Sequence, residues 1–318
     1  MSTPALFDDL ERVALPPRPL HLAIGMFDGV HLGHQAVIES AVHSARRCGG
    51  LAGVLTFWPH PSVFFAPERR TRMLMSPEMK VRVLLRLGVD AVIQQTFSLE
   101  FARIAAEDFL SLLQRCLPHL AGVYVGENWR FGSGRRGEVS LLLAEAARLR
   151  IPVLSVPRIH WNGEPISSTR IRDCLATGQL EEANVLLGYS YFAEGVVISG
   201  RQIGRTLGFP TLNLCWAPEL QPRYGVYAVR VSGEPTVAAG LPAVANYGLR
   251  PTVEQAGEPL LEAHLLGPCP FVPGSRVMVE WLEFLRPEQK FGSVEELRAQ
   301  IARDRADAEA YFQAKEPA

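Results

Sequence analysis

Residues 20–38 read "LHLAIGMFDGVHLGHQAVI". An apolar run from Leu20 ends in a turn containing Gly25, Gly29 and Gly33, and apolar residues then recur at helical spacing, Val37 with Ala41 and Ile38 with Val42. Gly49 follows as a stop signal. The stretch predicts a strand feeding a helix through a loop whose glycines let the backbone turn tightly or approach a ligand. The same alternation continues to about Ile159, with apolar runs at 51–57, 90–97, 122–128 and 151–159 and helix-like segments at 76–88, 99–116 and 138–150. Strand and helix in alternation predict a parallel sheet covered on both faces.

Two short helical pieces follow, "STRIRDCLATG" and "LEEANVLLG", and beyond Tyr189 the rhythm changes. Strand candidates at 191–200, 225–233, 243–249, 260–266 and 276–285, with "GRTLGFPTLNL" as a Gly-rich turn running into a further strand, predict an antiparallel barrel or sandwich. An amphipathic helix at 293–314 closes the chain. The boundary is placed near Gly188, giving domains of residues 1–187 and 188–318.

Composition agrees with two globular domains: 318 residues, 47% hydrophobic and 20% charged. A net charge of −1 predicts no general nucleic-acid or membrane surface, so partners are expected to be small molecules and any polyanion site local. No feature sets an oligomeric state. Five scattered cysteines without a Cys-x-x-Cys pair predict neither a disulfide framework nor a zinc knuckle, but reduced thiols in a cytoplasmic protein. The first twenty residues carry acids where a signal peptide needs bases, and no apolar run reaches the roughly eighteen residues of a membrane span.

In an open α/β sheet, ligands bind beyond the carboxyl ends of the strands, where a helix N-terminus offers free N–H groups and a positive dipole end. "GMFDGVHLGH" sits at such a place, and His31 and His34 there would act as donors to phosphate oxygens. The alternatives for a bare His-x-x-His are a core role or metal ligation, the latter disfavoured because no Cys or third His lies nearby at ligand spacing. A second segment, "ISSTRIR", puts Arg170 and Arg172 in the first turn of a helix, where cations oppose the dipole unless an anion neutralises them. That points to phosphate, with a Ser N-cap and solvated arginines as the alternative. The only lysines are Lys80, Lys290 and Lys315, and no Gly-Lys-Ser/Thr occurs, so a Walker-type ATP site is excluded.

In this order and spacing, "GMFDGVHLGHQ", "TFWPHP", "VGENWRFGSGRRG" and "ISSTRIR" resemble the adenylyltransferase module of bacterial bifunctional riboflavin kinase/FAD synthetases. "GRQIGRTLGFPTLNL", "GVYAV", "NYGLRPTV", "LEAHLL" and "EQKF" resemble the riboflavin kinase module, so that the likeness covers residues 20–312. It implies a nucleotidyltransferase-like, doubly wound parallel sheet followed by a small antiparallel barrel with a C-terminal helix. It implies that riboflavin is phosphorylated to FMN in the second module and that FMN is joined to the AMP part of ATP in the first, giving FAD and pyrophosphate, with Mg²⁺ accompanying ATP.

By position, the resemblance places His31 and His34 on ATP phosphates, with Gly25, Phe27 and Asp28 shaping the loop. Asn128 falls by the α-phosphate or the flavin phosphate, and Ser168 and Arg172 on the β,γ side. His60 in "TFWPHP" either borders the flavin or makes a rigid turn between two prolines. In the second module it implies that Gly204 and Arg205 bind ATP phosphate and that Glu262 is the base for the ribityl 5′-hydroxyl. Thr211 and Asn213, two apart on a strand, share a face and offer oxygen to Mg²⁺, while alternation along "LEAHLL" points Glu262 into whatever its sheet face encloses.

Two departures stand out. "PTLN" has Leu212 where the family carries a small residue, turned away from Thr211 and Asn213. "GPCPFVP", residues 267–273, replaces an acidic, aromatic stretch and leaves Phe271 as the apolar surface for a flavin. The second departure raises the alternative of a kinase-inactive barrel that binds flavin to regulate the first module. A further alternative is that the first module adenylylates or cytidylylates some other small phosphate.

Overall fold

The computed structural model describes residues 4–199, 208–233, 240–249 and 259–315. Contacts divide the chain into two compact units, Met1–Ser168 and Thr169–Ala318.

The first unit holds six strands, β1 (Ala5–Phe7), β2 (Leu20–Ile24), β3 (Leu51–Trp58), β4 (Ala91–Thr96), β5 (Leu120–Gly126) and β6 (Val153–Val156). They form one sheet in the order β1-β4-β3-β2-β5-β6, every pairing parallel. Seven of the eight residues of β3 are buried, the mark of a strand covered on both faces. Between the strands run α1 (Leu32–Arg47), the short α2 (Ser62–Phe65), α3 (Pro77–Arg86), α4 (Ala106–Cys116) and α5 (Val139–Leu149). Phe109 and Leu113 of α4 and Leu142 of α5 share a core with Leu22 and Ile24 of β2 and Val123 of β5. The buried Val37 and Ile38 of α1 lie outside that cluster, and α1 packs on β2, β3 and β5. A two-stranded hairpin, β7 (His160–Trp161) and β8 (Glu164–Pro165), precedes the end of the unit.

One expected element is broken. The run 99–116 reads as a single helix, but the structure makes a 3-10 turn at Phe101–Arg103 and starts α4 only at Ala106. The cause is a loop seated on the break: Ser133 N–H donates to the Ile104 carbonyl at 2.7 Å. A Cβ on Gly132 would lie 2.5 Å from Ala106 Cα.

The second unit opens with α6 (Ser168–Thr177), whose first residue is counted with the first unit, and α7 (Leu180–Leu187). The change of rhythm had put the boundary after both helices. By contacts they fall in the second unit, because the barrel holds them directly. Arg223 donates from its backbone N–H to the Leu175 carbonyl and from its guanidinium to the Thr177 carbonyl, both at 3.0 Å. Asn184 of α7 donates to the Trp281 carbonyl at 2.8 Å.

The barrel strands are β9 (Phe192–Ile198), β10 (Leu212–Cys215), β11 (Gly225–Gly233), β12 (Leu241–Leu249), β13 (Pro259–Leu265) and β14 (Arg276–Pro287). They close in the order β10-β13-β12-β11-β14-β9 with antiparallel neighbours, which decides for a barrel over a sandwich. Its interior is filled by aromatic rings: Tyr227 meets Trp281 at 4.5 Å and Tyr247 meets it at 5.4 Å, all three fully buried. The closing helix α8 (Val294–Lys315) lays Ala308 and Phe312 on the outside of the wall, against Val226, Ala228 and Val244. The forked guanidinium of Arg286 pins this helix through two bonds of 2.6 Å to the buried Asp304 carboxylate.

Gly132 carries the close approach at the start of α4 and adopts φ +71°. Gly132→Ala is expected to lower stability by about 2–4 kcal/mol, from a left-handed alanine plus a backbone clash, read by urea denaturation.

Candidate active sites

In the first sheet, β2 lies between β3 and β5, so successive connections leave β2 in opposite directions. The loops after β2 and β5 diverge there, and such a switch point is where an open α/β sheet binds ligands. A cavity of about 770 Å³ occupies the place. It is lined by Gly25, Phe27, His31 and His34 from the first loop and by Gly126 and Asn128 from the second.

The β2–α1 loop is held in a demanding shape. Phe27 at φ +47° and Val30 at φ +37° are both left-handed, and for a β-branched residue that is a true outlier. Gly25 has no room for a side chain, since a Cβ would stand 2.9 Å from the Phe27 ring. Three anchors hold the backbone down. The Met26 carbonyl accepts from Lys80 Nζ at 2.9 Å and from Thr56 Oγ1 at 3.0 Å. The buried Asp28 carboxylate accepts from Leu74 N–H at 2.9 Å, and the Asp28 carbonyl accepts from Ser168 Oγ at 2.8 Å.

His31 caps α1, its Nδ1 accepting from His34 N–H at 3.3 Å. The neutral ring then carries its proton on Nε2. The His34 ring stacks on His31 at 3.6 Å and meets the edge of Phe27 at 5.3 Å. Burial, then the His31 and Lys80 charges, push its pKa well below the ordinary 6.5, so His34 is neutral at physiological pH. Its Nδ1 is buried with no hydrogen-bond partner among the described residues.

The remaining expected residues fall in different surroundings. Asn128 lines the cavity and, with its amide oxygen turned toward Arg158, accepts from that guanidinium, which also lies 3.7 Å from Glu127. Ser168 starts α6 and Arg172 follows one turn on, half-buried. Arg170, one of the two cations in the first turn, is met by Glu182 of α7, with its Nε at 3.2 Å. His60 is not among the cavity residues. Its Nδ1 accepts from Ser62 N–H at 3.1 Å and lies 2.7 Å from Ser62 Oγ, which ties down the start of α2.

Several cavity residues escaped the sequence reading. Phe57, Phe97, Phe101, Trp129 and Phe131 give it an apolar half, with Trp129 stacked on Phe131 at 4.5 Å. Arg103, Arg130, Arg135 and Arg158 line it as well. Trp129 and Phe131 stand inside a quoted motif, so the signal was present, whereas Arg103 and Phe101 come from the turn that had been read as helix.

On the barrel, Asn213 of β10 pairs across the strands with Glu262 of β13, which pairs in turn with Asn246 of β12. Direct cross-strand partners project to one face, so the three form a polar row. Their neighbours Leu214, Leu261 and Tyr247 point into the filled interior, and the row therefore lies on the outer face. Glu262 thus projects from the outer face of the wall and not into the aromatic interior of the barrel. Thr211 precedes β10, and its carbonyl accepts from Asn213 Nδ2 at 3.4 Å. The turn before it is fixed by His264, whose Nδ1–H donates to the Pro210 carbonyl at 2.8 Å. Asn246 is the row member the sequence reading missed, a lone amide within the otherwise apolar "AVANYGL". Phe271 is itself only 5% exposed, while its neighbour Val272 is 63% exposed. Gly204 and Arg205, with Arg201, lie outside the described residues.

A switch-point cavity with a histidine-capped helix, joined in one chain to an antiparallel barrel bearing an outward polar row, defines a two-module nucleotide-dependent transferase. The family model for FAD synthetase matches residues 15–170, and that for riboflavin kinase matches residues 187–312. The chain is 38% identical to the bifunctional riboflavin kinase/FMN adenylyltransferase of Escherichia coli K12, over 93% of this chain and 94% of that one. It is 38% identical to the protein of the same description from Listeria monocytogenes, over 92% of each chain, and 33% identical to that of Bacillus subtilis, again over 92% of each. Among solved structures, one described as a macrolide-efflux protein from Streptococcus pneumoniae matches with a TM-score of 0.83 at 28% identity, covering 96% of this chain and 98% of that one. The chain belongs to the bifunctional riboflavin kinase/FMN adenylyltransferase family of flavin cofactor biosynthesis. No helix among the described residues is long and apolar enough to cross a membrane.

The state of His34 sets a pH dependence. Its folded pKa lies below 6.5, so on acidification through 6.5 the unfolded chain takes a proton that the folded one refuses. Stability is therefore expected to fall as pH drops below 6.5, by up to about 1.4 kcal/mol per pH unit, and His34→Gln should flatten that slope. Urea titrations across this range check it. His21, also lowered by burial, adds to the slope in the same direction.

Proposed function

We propose that riboflavin is phosphorylated at the outer row of the barrel and that FMN is adenylylated in the switch-point cavity, with ATP as the second substrate of both steps. The observation that carries this reading is the composition of the cavity, an aromatic half and a cationic half meeting at the N-terminus of α1. The aromatic half suits the flavin ring system, and the cationic half suits phosphates. Residues 1–187 are taken together as the adenylyltransferase module, because Ser168 at the head of α6 bonds the loop that leads into α1, and residues 188–318 form the kinase module.

In the first module an FMN phosphate oxygen attacks the α-phosphorus of ATP, the bond to the β-phosphate bridging oxygen breaks, and pyrophosphate leaves with the electron pair. The nucleophile is already ionised, so no base and no covalent enzyme intermediate are needed, and catalysis is positioning plus charge neutralisation. His31 donates from Nε2, His34 offers its unpartnered ring to the phosphates, and Gly25 lets the chain approach them. Asn128 with Arg158 faces the joining phosphate, while Ser168 holds the leaving side. Phe27 and Asp28 keep the loop in shape.

In the second module Glu262 takes the proton of the ribityl 5′-hydroxyl as its oxygen attacks the γ-phosphorus and ADP leaves. Asn213 and Asn246 on either side orient the carboxylate and the reacting groups. Gly204 and Arg205 complete the phosphate contacts in this reading, and Phe271 backs the flavin wall from within. Thr211 and Asn213 offer neutral oxygens, which suit a hard cation entering with its nucleotide. Among the described residues no group of three or more His, Cys, Asp and Glu side chains is placed to hold a metal by itself. When bound, Mg²⁺ supplies charge neutralisation on the triphosphate. The cytoplasm is the compartment we infer, supported by five free cysteines.

The two steps should separate. The double variant His31→Ala, His34→Ala is expected to abolish FAD formation from FMN and leave FMN formation from riboflavin near wild type, whereas Glu262→Gln should slow the kinase step by about 10²–10⁴-fold and spare the other. Chromatographic separation of riboflavin, FMN and FAD reads both, and a variant that stopped both reactions while folded would sink the assignment. Magnesium should bind the free protein weakly and the ATP complex well, so calorimetric titration showing tight stoichiometric binding without nucleotide would contradict the role given to Thr211 and Asn213.

A further inference from the structure

Of the three lysines in the chain, one is placed where a lysine is costly. Lys80 of α3 is 1% exposed and lies beneath the β2–α1 loop. Its ammonium donates to the Met26 carbonyl at 2.9 Å and reaches Thr56 Oγ1 of β3 at 3.3 Å. A buried ammonium without a direct carboxylate bond is retained against a large desolvation cost. The backbone carbonyl it holds stands immediately before the left-handed Phe27, two residues ahead of Asp28 and within the segment that ends in the cap of α1. Lys80 is not a cavity-lining residue, so it acts from behind the ligand.

We propose that Lys80 is a positioning residue for adenylyl transfer: by clamping the Met26 carbonyl from beneath, its ammonium holds residues 25–34 in the shape that receives the triphosphate. This rests on the reading of the cavity as the adenylyltransferase site. The groups facing the ammonium are the Asp28 carboxylate from the loop, the His34 ring from α1 with His31 stacked upon it, and from β3 only the hydroxyl of Thr56. Asp28 favours the charged lysine, but burial outweighs it and brings the Lys80 pKa down to about 8. The lysine charge in turn helps to keep His34 neutral. Loss of the proton removes the charged donor from Met26, and FAD synthesis then falls on the alkaline side while riboflavin phosphorylation, on the other module, does not.

The sign of the stability change separates this from alkaline unfolding. With the folded pKa lowered from 10.5 to about 8, the unfolded chain keeps a proton in that window that the folded chain has lost. The contribution of Lys80 to stability therefore rises with pH there. Activity lost above pH 8 for this reason is lost from a chain that is no less folded.

The test follows both reactions in one preparation of the full chain, from about pH 6.5 to about pH 10, for wild type, Lys80→Met and Thr56→Val. Wild type is expected to show an alkaline limb near pH 8 in FAD formation and none in FMN formation. Lys80→Met should lower kcat for FAD formation by about 100-fold, lose the limb from what remains, and leave the kinase unchanged. Thr56→Val removes one acceptor from the ammonium and should move the limb to lower pH, a displacement that mere support of the fold would not produce. The proposal is overturned if Lys80→Met retains the wild-type rate or the limb, or if Thr56→Val leaves the limb in place. Should Lys80→Met lose both reactions by misfolding, the Thr56→Val profile decides alone. A wild type that made no FAD at any pH would instead defeat the reading of the cavity itself.

Discussion

The β2–α1 loop can present its N–H groups to an anion only while its backbone stays in conformations that most residues avoid. Phe27 and Val30, both left-handed, store strain that a solvated loop would relax at once. Everything around the loop answers that constraint: the doubly accepting Met26 carbonyl, the Asp28 carboxylate on Leu74 N–H, and the Ser168 hydroxyl on the Asp28 carbonyl. The anchors come from α3, β3, the segment before α3 and α6, so the geometry of five adjacent residues depends on four distant parts of the chain.

The two modules solve the same chemical problem, exposing phosphate chemistry on a rigid support, in opposite ways. A parallel sheet is buried on both faces and can offer only the ends of its strands, so the first module works from loops at a switch point. The barrel offers its strand faces, but Tyr227, Tyr247 and Trp281 fill the inner one. The outer wall is left free to carry polar groups, and Asn213, Glu262 and Asn246 stand there side by side on three neighbouring strands. Pre-organisation there comes from the ladder rather than from strained turns.

How much of this was readable without coordinates depended on range. Strands β2 to β5 and helices α1, α3 and α5 were legible because their periodicity and stop signals are local. The edge strand β1 was not, since three residues give no period, and its status rests on pairing with β4 far along the chain. The break before α4 was invisible because the cause, the loop of Gly132 and Ser133, is remote in sequence. Among site residues, His31 and Glu262 were legible from motifs. Lys80 was noticed only as the wrong kind of lysine for a Walker loop, since nothing in a helical "SPEMKVRVLL" says that one polar position will turn inward. The glutamate that meets Arg170 was hidden for a similar reason, since it stands on the next helix.

The outer wall of the barrel is shared property. Asn246 pairs directly with Val226, and Val226 already belongs to the apolar patch under Phe312 and Ala308 of α8. The polar row thus ends where the closing helix begins. One continuous surface is divided between a seat for the helix and a polar row, and the division crosses β12 itself, with Val244 under the helix and Asn246 in the row. Whatever shifts α8 along its seat, a change at the Arg286–Asp304 fork for instance, redraws the edge of the polar row without touching a residue in it. The closing helix is in this sense a border post, and its register sets where the polar row ends.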